Sequence, residues 1–429
     1  MKLRVLRLLS ITLPKLLGGL GTFGLNLLLM RRMTAADLGS FAILLACVLL
    51  IDAIAGSAID LATIKLGSAG ADGPGIASVQ IEKHAFLAKA FAGLATLALL
   101  PVAKSFLWSM MTGKSTGGEL LYLACTAAIG LLLVRSLQVH VQLQHDFLSY
   151  GLLDSAHLLL RLGLIGVCFW WNWVTPAAIL ACYAIAPLAL ILGWAVSQSS
   201  AFFAGRLIQP EVFRLLFRNV QWLVVTFSLS AVISRMDLFL VSRWSSLQEA
   251  GIYAGGQGLA MIPQLLGLYI SVVFGPKIMP KIAQGEFFNY FRVVQSCLLI
   301  AAFAGLVLFA LLWQPLSSIL LPAKFLRSSE VIRALIPGAL AGFVTFPLTL
   351  SFIMFVRPRF LFTMDCLAVP FLFPAYYFAI TTYGAVGAAW TSTAAAVIRA
   401  TVAQVMAWRW AQADANRRAS EAQQALAEA

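Results

Sequence analysis

The sequence predicts an all-α integral membrane protein, with about twelve transmembrane helices in two six-helix bundles. Three observations predict it. Apolar residues make up 61% of the 429-residue chain and charged residues 11%, against about 25% charged in an ordinary soluble domain. Apolar runs long enough to cross a bilayer, about 18 residues or more, recur from end to end. One stretch also occurs twice, roughly half a chain apart, which is a mark of transporter folds.

The repeat runs from Asn26 to Phe41 (NLLLMRRMTAADLGSF) and again, loosely, from Asp237 to Tyr253 (DLFLVSRWSSLQEAGIY). In each copy a polar residue precedes an apolar helix end. An arginine follows (Arg32, Arg243), then a short polar turn carrying an acid, then a glycine and an aromatic that open the next apolar run. A single-residue gap aligns them. This is a repeated helical hairpin inside a membrane. Membrane proteins built from two related halves commonly carry a cargo across, with the site between the halves.

The predicted spans are 8–30, 40–64, 84–103, 119–142, 148–171, 175–197, 217–241, 250–275, 291–313, 331–355, 361–382 and 384–408. The first follows a basic start, Met1 to Arg7. Its apolar run is too long for a cleavable leader and lacks a small-residue cleavage site, so it reads as an anchor. Its one GxGxxG match, Gly19 to Gly24, follows no strand, so close helix packing is expected there and not dinucleotide binding. The second span carries Asp52 and Asp60, and the third carries Lys89, read as a boundary residue. The seventh ends near Ser234 to Asp237, the eighth carries Tyr253, Gln257 and Gln264 on one face, the eleventh Asp365, and the twelfth Arg399, placed near the cytoplasmic boundary.

These spans group into a first bundle, 1–199, a cytoplasmic linker, 200–216, a second bundle, 217–410, and a cytoplasmic tail, 411–429. Interfacial amphipathic helices are expected after Pro210 and over Pro276–Phe291. No connection is long enough to fold as a soluble domain. The net charge of +13 is placed by the positive-inside rule. Loops on one side hold Lys65, Lys83, Arg214, Arg218, Lys277 and Arg357 among others, which puts both termini in the cytoplasm. Nucleic acid is therefore not the expected partner. The six cysteines have no metal-ligand spacing and read as small packing residues. No phosphate-binding loop is present, and no outer loop is large enough for sugar chemistry. No cofactor, metal or enzymatic activity is expected.

Charges inside spanning helices are costly and usually face a cavity. Asp154, His157 and Arg161 share one face of the fifth span, and Arg135, Gln138 and Gln142 one face of the fourth. A short link makes these spans antiparallel neighbours, in which Arg135 can pair with Asp154 and leave Arg161 deeper and unpaired. A net-basic cavity wall is expected. Lys15 and Asn26 on the first span, Arg235 and Asp237 on the seventh and Gln257 on the eighth are further candidates.

The segment from Ser234 to Ala260, with Asp237 ahead of an apolar run and Gly251, Tyr253 and Gln257 leading into the next helix, resembles the hairpin between helices 7 and 8 of Wzx-type polysaccharide flippases. These belong to the multidrug/oligosaccharidyl-lipid/polysaccharide exporter superfamily. Arg32, Gly39 and Phe41 resemble the family's first hairpin. The resemblance implies two six-helix bundles around a central cavity that opens alternately to each side, and transport of undecaprenyl-diphosphate-linked oligosaccharide from the inner to the outer leaflet of a bacterial inner membrane for O-antigen or exopolysaccharide assembly. It implies contact with membrane lipid, and a polysaccharide polymerase of the same pathway is a candidate partner. The protein itself is expected to be a monomer. Lipid II flippases of the superfamily carry two further helices with no counterpart here, which disfavours that branch. A cation-coupled multidrug antiporter of the same superfamily and a membrane polymerase or ligase are the alternatives.

Overall fold

The computed structural model describes residues 18–69, 78–114, 118–144, 146–202 and 209–428. Among them the chain is helical, with no strand. The helices are α1 (18–32), α2 (Ala35–Asp52), α3 (Ala58–Ala69), α4 (Ser78–Thr112), α5 (Leu120–Leu143), α6 (Phe147–Trp170), α7 (Pro176–Phe202), α8 (Pro210–Trp244), α9 (Leu247–Ala260), α10 (Ile262–Ala283), α11 (Phe287–Leu320), α12 (Ser328–Thr345), α13 (Ser351–Val356) and α14 (Pro358–Glu428). Single π-helical turns, Ala53–Ser57 and Phe346–Leu350, join α2 to α3 and α12 to α13. Nine described segments are long and apolar enough to cross a membrane, so this is a multi-pass membrane protein.

Two compact units form, Met1–Gly251 and Ile252–Ala429. The division falls within α9, so that all of α8 belongs to the first unit. The reason is packing: Val212, Leu216 and Val220 of α8 are buried against Ala58, Ile59 and Ala62 of α3 and Ile81 and Ala85 of α4. The expected interfacial helix after Pro210 is thereby replaced by the first turns of one continuous helix to Trp244, about 52 Å long. Phe213 and Phe217 keep the exposed face, stacked at 6.5 Å. Likewise Pro276–Ala283 is the end of α10, and the chain turns at Gly285 before α11. The eighth predicted span is broken between α9 and α10 at Met261. The last two are the arms of α14, which reverse at Gly384 (φ 59°, ψ −134°), a conformation suited to glycine.

In the first unit α5 is central, packed on α2, α3, α4, α6 and α7. α1 lies on α6, close enough that a Cβ on Gly21 would meet Leu162 at 2.9 Å. In the second unit α12 packs on α10, α11 and α14. Phe287 stacks on Phe352 at 4.5 Å in a core closed by Leu348, Ala403 and Ala407.

The repeated hairpin acquires a physical account. In copy one, Thr34 caps α2, its Oγ accepting the Asp37 amide at 3.1 Å and donating to Asp37 Oδ2 at 2.7 Å. In copy two, Ser246 Oγ accepts the Glu249 amide at 3.1 Å. The acid of the repeat is thus the third residue after the cap, where an anion also meets the positive end of the helix. The two repeat arginines reach other turns of the same unit. Arg32 donates to Asn172 Oδ1 at 3.4 Å in the α6–α7 turn, and Arg243 lies against Gly113 in the α4–α5 turn, where a Cβ would meet its Nη1 at 2.6 Å.

Candidate functional site

The polar residues of the first unit converge from five helices, and their pairing differs from the expected one. Arg135 on α5 does not pair with Asp154. Its Nη2 binds Asp52 Oδ2 on α2 at 3.0 Å, and its Nη1 reaches Ser57 Oγ at 3.4 Å. Ser57 ends the π turn that directly follows Asp52, a helix irregularity that recurs at functional positions. Asp154 on α6 instead accepts from Gln138 Nε2 at 3.1 Å. Lys89 on α4 is not a boundary residue. It is fully buried, bonded to Asp60 on α3, and within 3.4 Å of the Leu132 carbonyl.

This pairing corrects the electrostatic expectation. Lys89 is paired with Asp60 and Arg135 with Asp52, and Asp154 adds a third acid to match Arg161 in number, so basic side chains do not outnumber acids in this cluster. The acids that balance it sit on α2 and α3, outside the helix pair from which the excess was reckoned.

Arg161 keeps its predicted singularity. No carboxylate among the described residues lies within ion-pair distance, and its Nε is buried without a hydrogen-bond partner. Its guanidinium lies 4.6 Å from the centroid of Tyr183 on α7, a cation–π contact worth about 0.5–2 kcal/mol. Tyr183 is braced in turn by Phe41 on α2, edge-on at 5.8 Å. The charge is therefore held by aromatic rings and its donors are left for another group. His157 lies one turn earlier on α6, half-buried.

The other candidates scatter. Asn26 is half-buried on α1 and Arg235 half-buried on α8. Asp237 is buried, with Oδ1 accepting the Leu238 amide at 2.7 Å. Gln257 is buried on α9 in the second unit, one turn from Tyr253, whose hydroxyl meets Ser392 at 3.1 Å. Lys15 lies outside the described residues. Sequence reasoning missed a pair between α4 and α5, Glu82 with His140 Nδ1 at 2.5 Å. It also missed His84, whose Nε2 accepts the Gln209 amide at 2.8 Å. Neither residue departs from the pattern of a helix end near a membrane surface, so no sequence signal marked them. No group of His, Cys, Asp and Glu among the described residues suits a metal.

No family model and no curated protein matches the sequence. Solved structures do match. The lipid II flippase MurJ in its inward closed conformation superposes with a TM-score of 0.74 at 12% identity, over 92% of this chain and 87% of that one. An outward-facing multidrug resistance MATE transporter of the MOP superfamily gives 0.63 at 12% identity, over 96% of both chains. The Vibrio cholerae MATE transporter VcmN in its bent form gives 0.57 at 13% identity, over 95% and 98%.

The chain has the fold of these transporters.

At such identities the likeness is one of fold. It extends to a lipid II flippase, the branch that the helix count disfavoured, and to multidrug transporters, and it does not distinguish their functions.

Proposed function

We propose that this protein is a flippase for lipid-linked oligosaccharide. It would move undecaprenyl-diphosphate-linked repeat units from the cytoplasmic to the periplasmic leaflet of a bacterial inner membrane by alternating access, supplying O-antigen or exopolysaccharide assembly. The observation that carries the reading is Arg161, a guanidinium within the membrane span that rests on Tyr183 and has no carboxylate partner among the described residues. A planar fork of donors suits a diphosphate, and burial without a counter-ion is costly unless a cargo supplies one. Arg135, Gln138, Asp154 and His157 would form the adjoining wall. Lys15, Asn26, Arg235, Asp237 and Gln257 are the remaining candidates for contact with the sugar–phosphate headgroup. The lipid tail can stay in the bilayer, so only the headgroup needs shielding. In this reading both termini are cytoplasmic, the protein acts as a monomer, and a polysaccharide polymerase consumes the flipped product.

The balanced charge of the first unit favours one alternative, a cation-coupled multidrug antiporter. Asp52 Oδ1 is buried without a hydrogen-bond partner, and such an oxygen can take a proton or face a cation. Replacing Arg161 with alanine separates the two. The flippase reading expects surface polysaccharide to be lost from cells whose protein is still inserted and folded, with resistance to cationic dyes unchanged. Normal polysaccharide together with altered dye resistance would favour the antiporter.

A further inference from the structure

The second unit contains an ion pair built like Asp52–Arg135 of the first. Asp365, near the start of α14, is buried, with a side chain only 6% exposed. Arg399, on the arm after Gly384, is bonded to it by one nitrogen, Nη2, at 3.1 Å from Oδ1 and 3.3 Å from Oδ2, yet its side chain is 39% exposed. In the first unit the corresponding values are 4% for Asp52 and 37% for Arg135, joined at 3.0 Å. In each unit a buried carboxylate grips a guanidinium that is left partly open.

A purely structural pair would bury both partners and use the arginine fork against both carboxylate oxygens. Here a single nitrogen takes both oxygens. Arg399 Nε is buried with no hydrogen-bond partner, and Nη1 makes none among the described residues. Nη1 therefore has donor capacity left over. Arg399 lies fifteen residues past Gly384, about 22 Å along the helix. It sits inside the apolar segment Arg359–Arg418, and a part-open guanidinium in such a segment needs a polar counterpart. The sequence reading assigned Arg399 to the cytoplasmic boundary, where it would reach out of the membrane, whereas Asp365 holds it in place.

We infer that Arg399, positioned by Asp365, is an anion-binding residue of the second unit that takes a phosphate oxygen of a polyprenyl-diphosphate headgroup. This rests on the flippase reading and adds to it a residue that reading does not use. Arg399 touches the ligand, and Asp365 is a positioning residue.

The test is binding of farnesyl diphosphate, a short polyprenyl diphosphate, to the full-length protein in nanodiscs, with farnesol as the uncharged control and thermal melting as the check on folding. Arg399→Gln should weaken farnesyl diphosphate binding about tenfold and leave farnesol unchanged, as for loss of one charge-assisted hydrogen bond. Arg399→Lys should recover part of the loss, because it keeps charge without the fork. If Arg399→Gln melts early, the double variant Asp365→Asn/Arg399→Gln leaves no orphaned carboxylate, and the same tenfold loss is expected of it. Binding within twofold of wild type in a folded Arg399→Gln or double variant, while Arg161→Gln abolishes binding, would overturn this inference and leave the flippase reading standing. Wild-type protein that binds farnesyl diphosphate no better than farnesol would overturn both.

Discussion

Gly39 and Gly251, the glycines of the two copies of the repeated hairpin, meet backbone to backbone. A Cβ on Gly39 would lie 1.9 Å from the Leu247 carbonyl oxygen, and one on Gly251 would lie 1.7 Å from that of Ala35. No side-chain rotation relieves such contacts, because the neighbours are main-chain atoms. The glycine of the repeat is thus where the first turns of α2 and α9 cross, and the capping residues Thr34 and Ser246 set the angle at which each helix begins.

Gly251→Ala and Gly39→Ala should each destabilise the protein by about 3 kcal/mol, the upper range for overpacking. Thermal unfolding in detergent would show this as a clear fall in midpoint. An unchanged midpoint for both would mean that the helices do not approach this closely.

The capping residues give a smaller effect. Thr34→Ala and Ser246→Ala should each cost about 1 kcal/mol, as for other helix N-caps. Amide hydrogen exchange would localise the loss to the first turn of α2 or α9. Loss spread evenly over the chain would contradict the capping role.

Asp52 and Arg135 should behave as a coupled pair. Arg135→Gln leaves a buried carboxylate uncompensated and should cost about 3 kcal/mol. The double variant Asp52→Asn/Arg135→Gln should be more stable than the two single losses added together. A double-mutant cycle in denaturation measures the coupling, and strict additivity would mean that the two side chains do not interact.

Tyr183 should matter through its ring and not its hydroxyl. Tyr183→Phe should retain transport. Tyr183→Leu should reduce it and lower stability by about 1 kcal/mol through loss of the cation–π contact. A Phe variant as impaired as the Leu variant would show that the hydroxyl is what counts.

Much of the fold was legible in the sequence. Apolar run length depends only on the bilayer, so most of the spans could be read directly, and the repeat exposed the hairpins that α1–α2 and α8–α9 form. What escaped depends on how helices are rotated against each other. Arg135 is 19 residues from Asp154 and 83 from Asp52, and its partner is the more distant acid. A helical wheel shows which residues share a face but not which neighbour that face meets. Lys89 looked like a boundary residue because Asp60, which neutralises it, lies on another helix. The packing of the first turns of α8 escaped for a similar reason, since their apolar face meets α3 and α4. Arg161 was legible because its singularity is local: one face of one helix carries the charge, and no acid among the described residues reaches it.

The most direct test of the flippase proposal is the leaflet accessibility of a labelled undecaprenyl-diphosphate-linked repeat in cells that carry the wild-type protein, none, or the Arg161→Ala variant. The account predicts label exposed to the periplasm with the wild type, and label confined to the cytoplasmic leaflet both without the protein and with an inserted, folded Arg161→Ala variant. Equal periplasmic exposure in all three would contradict it.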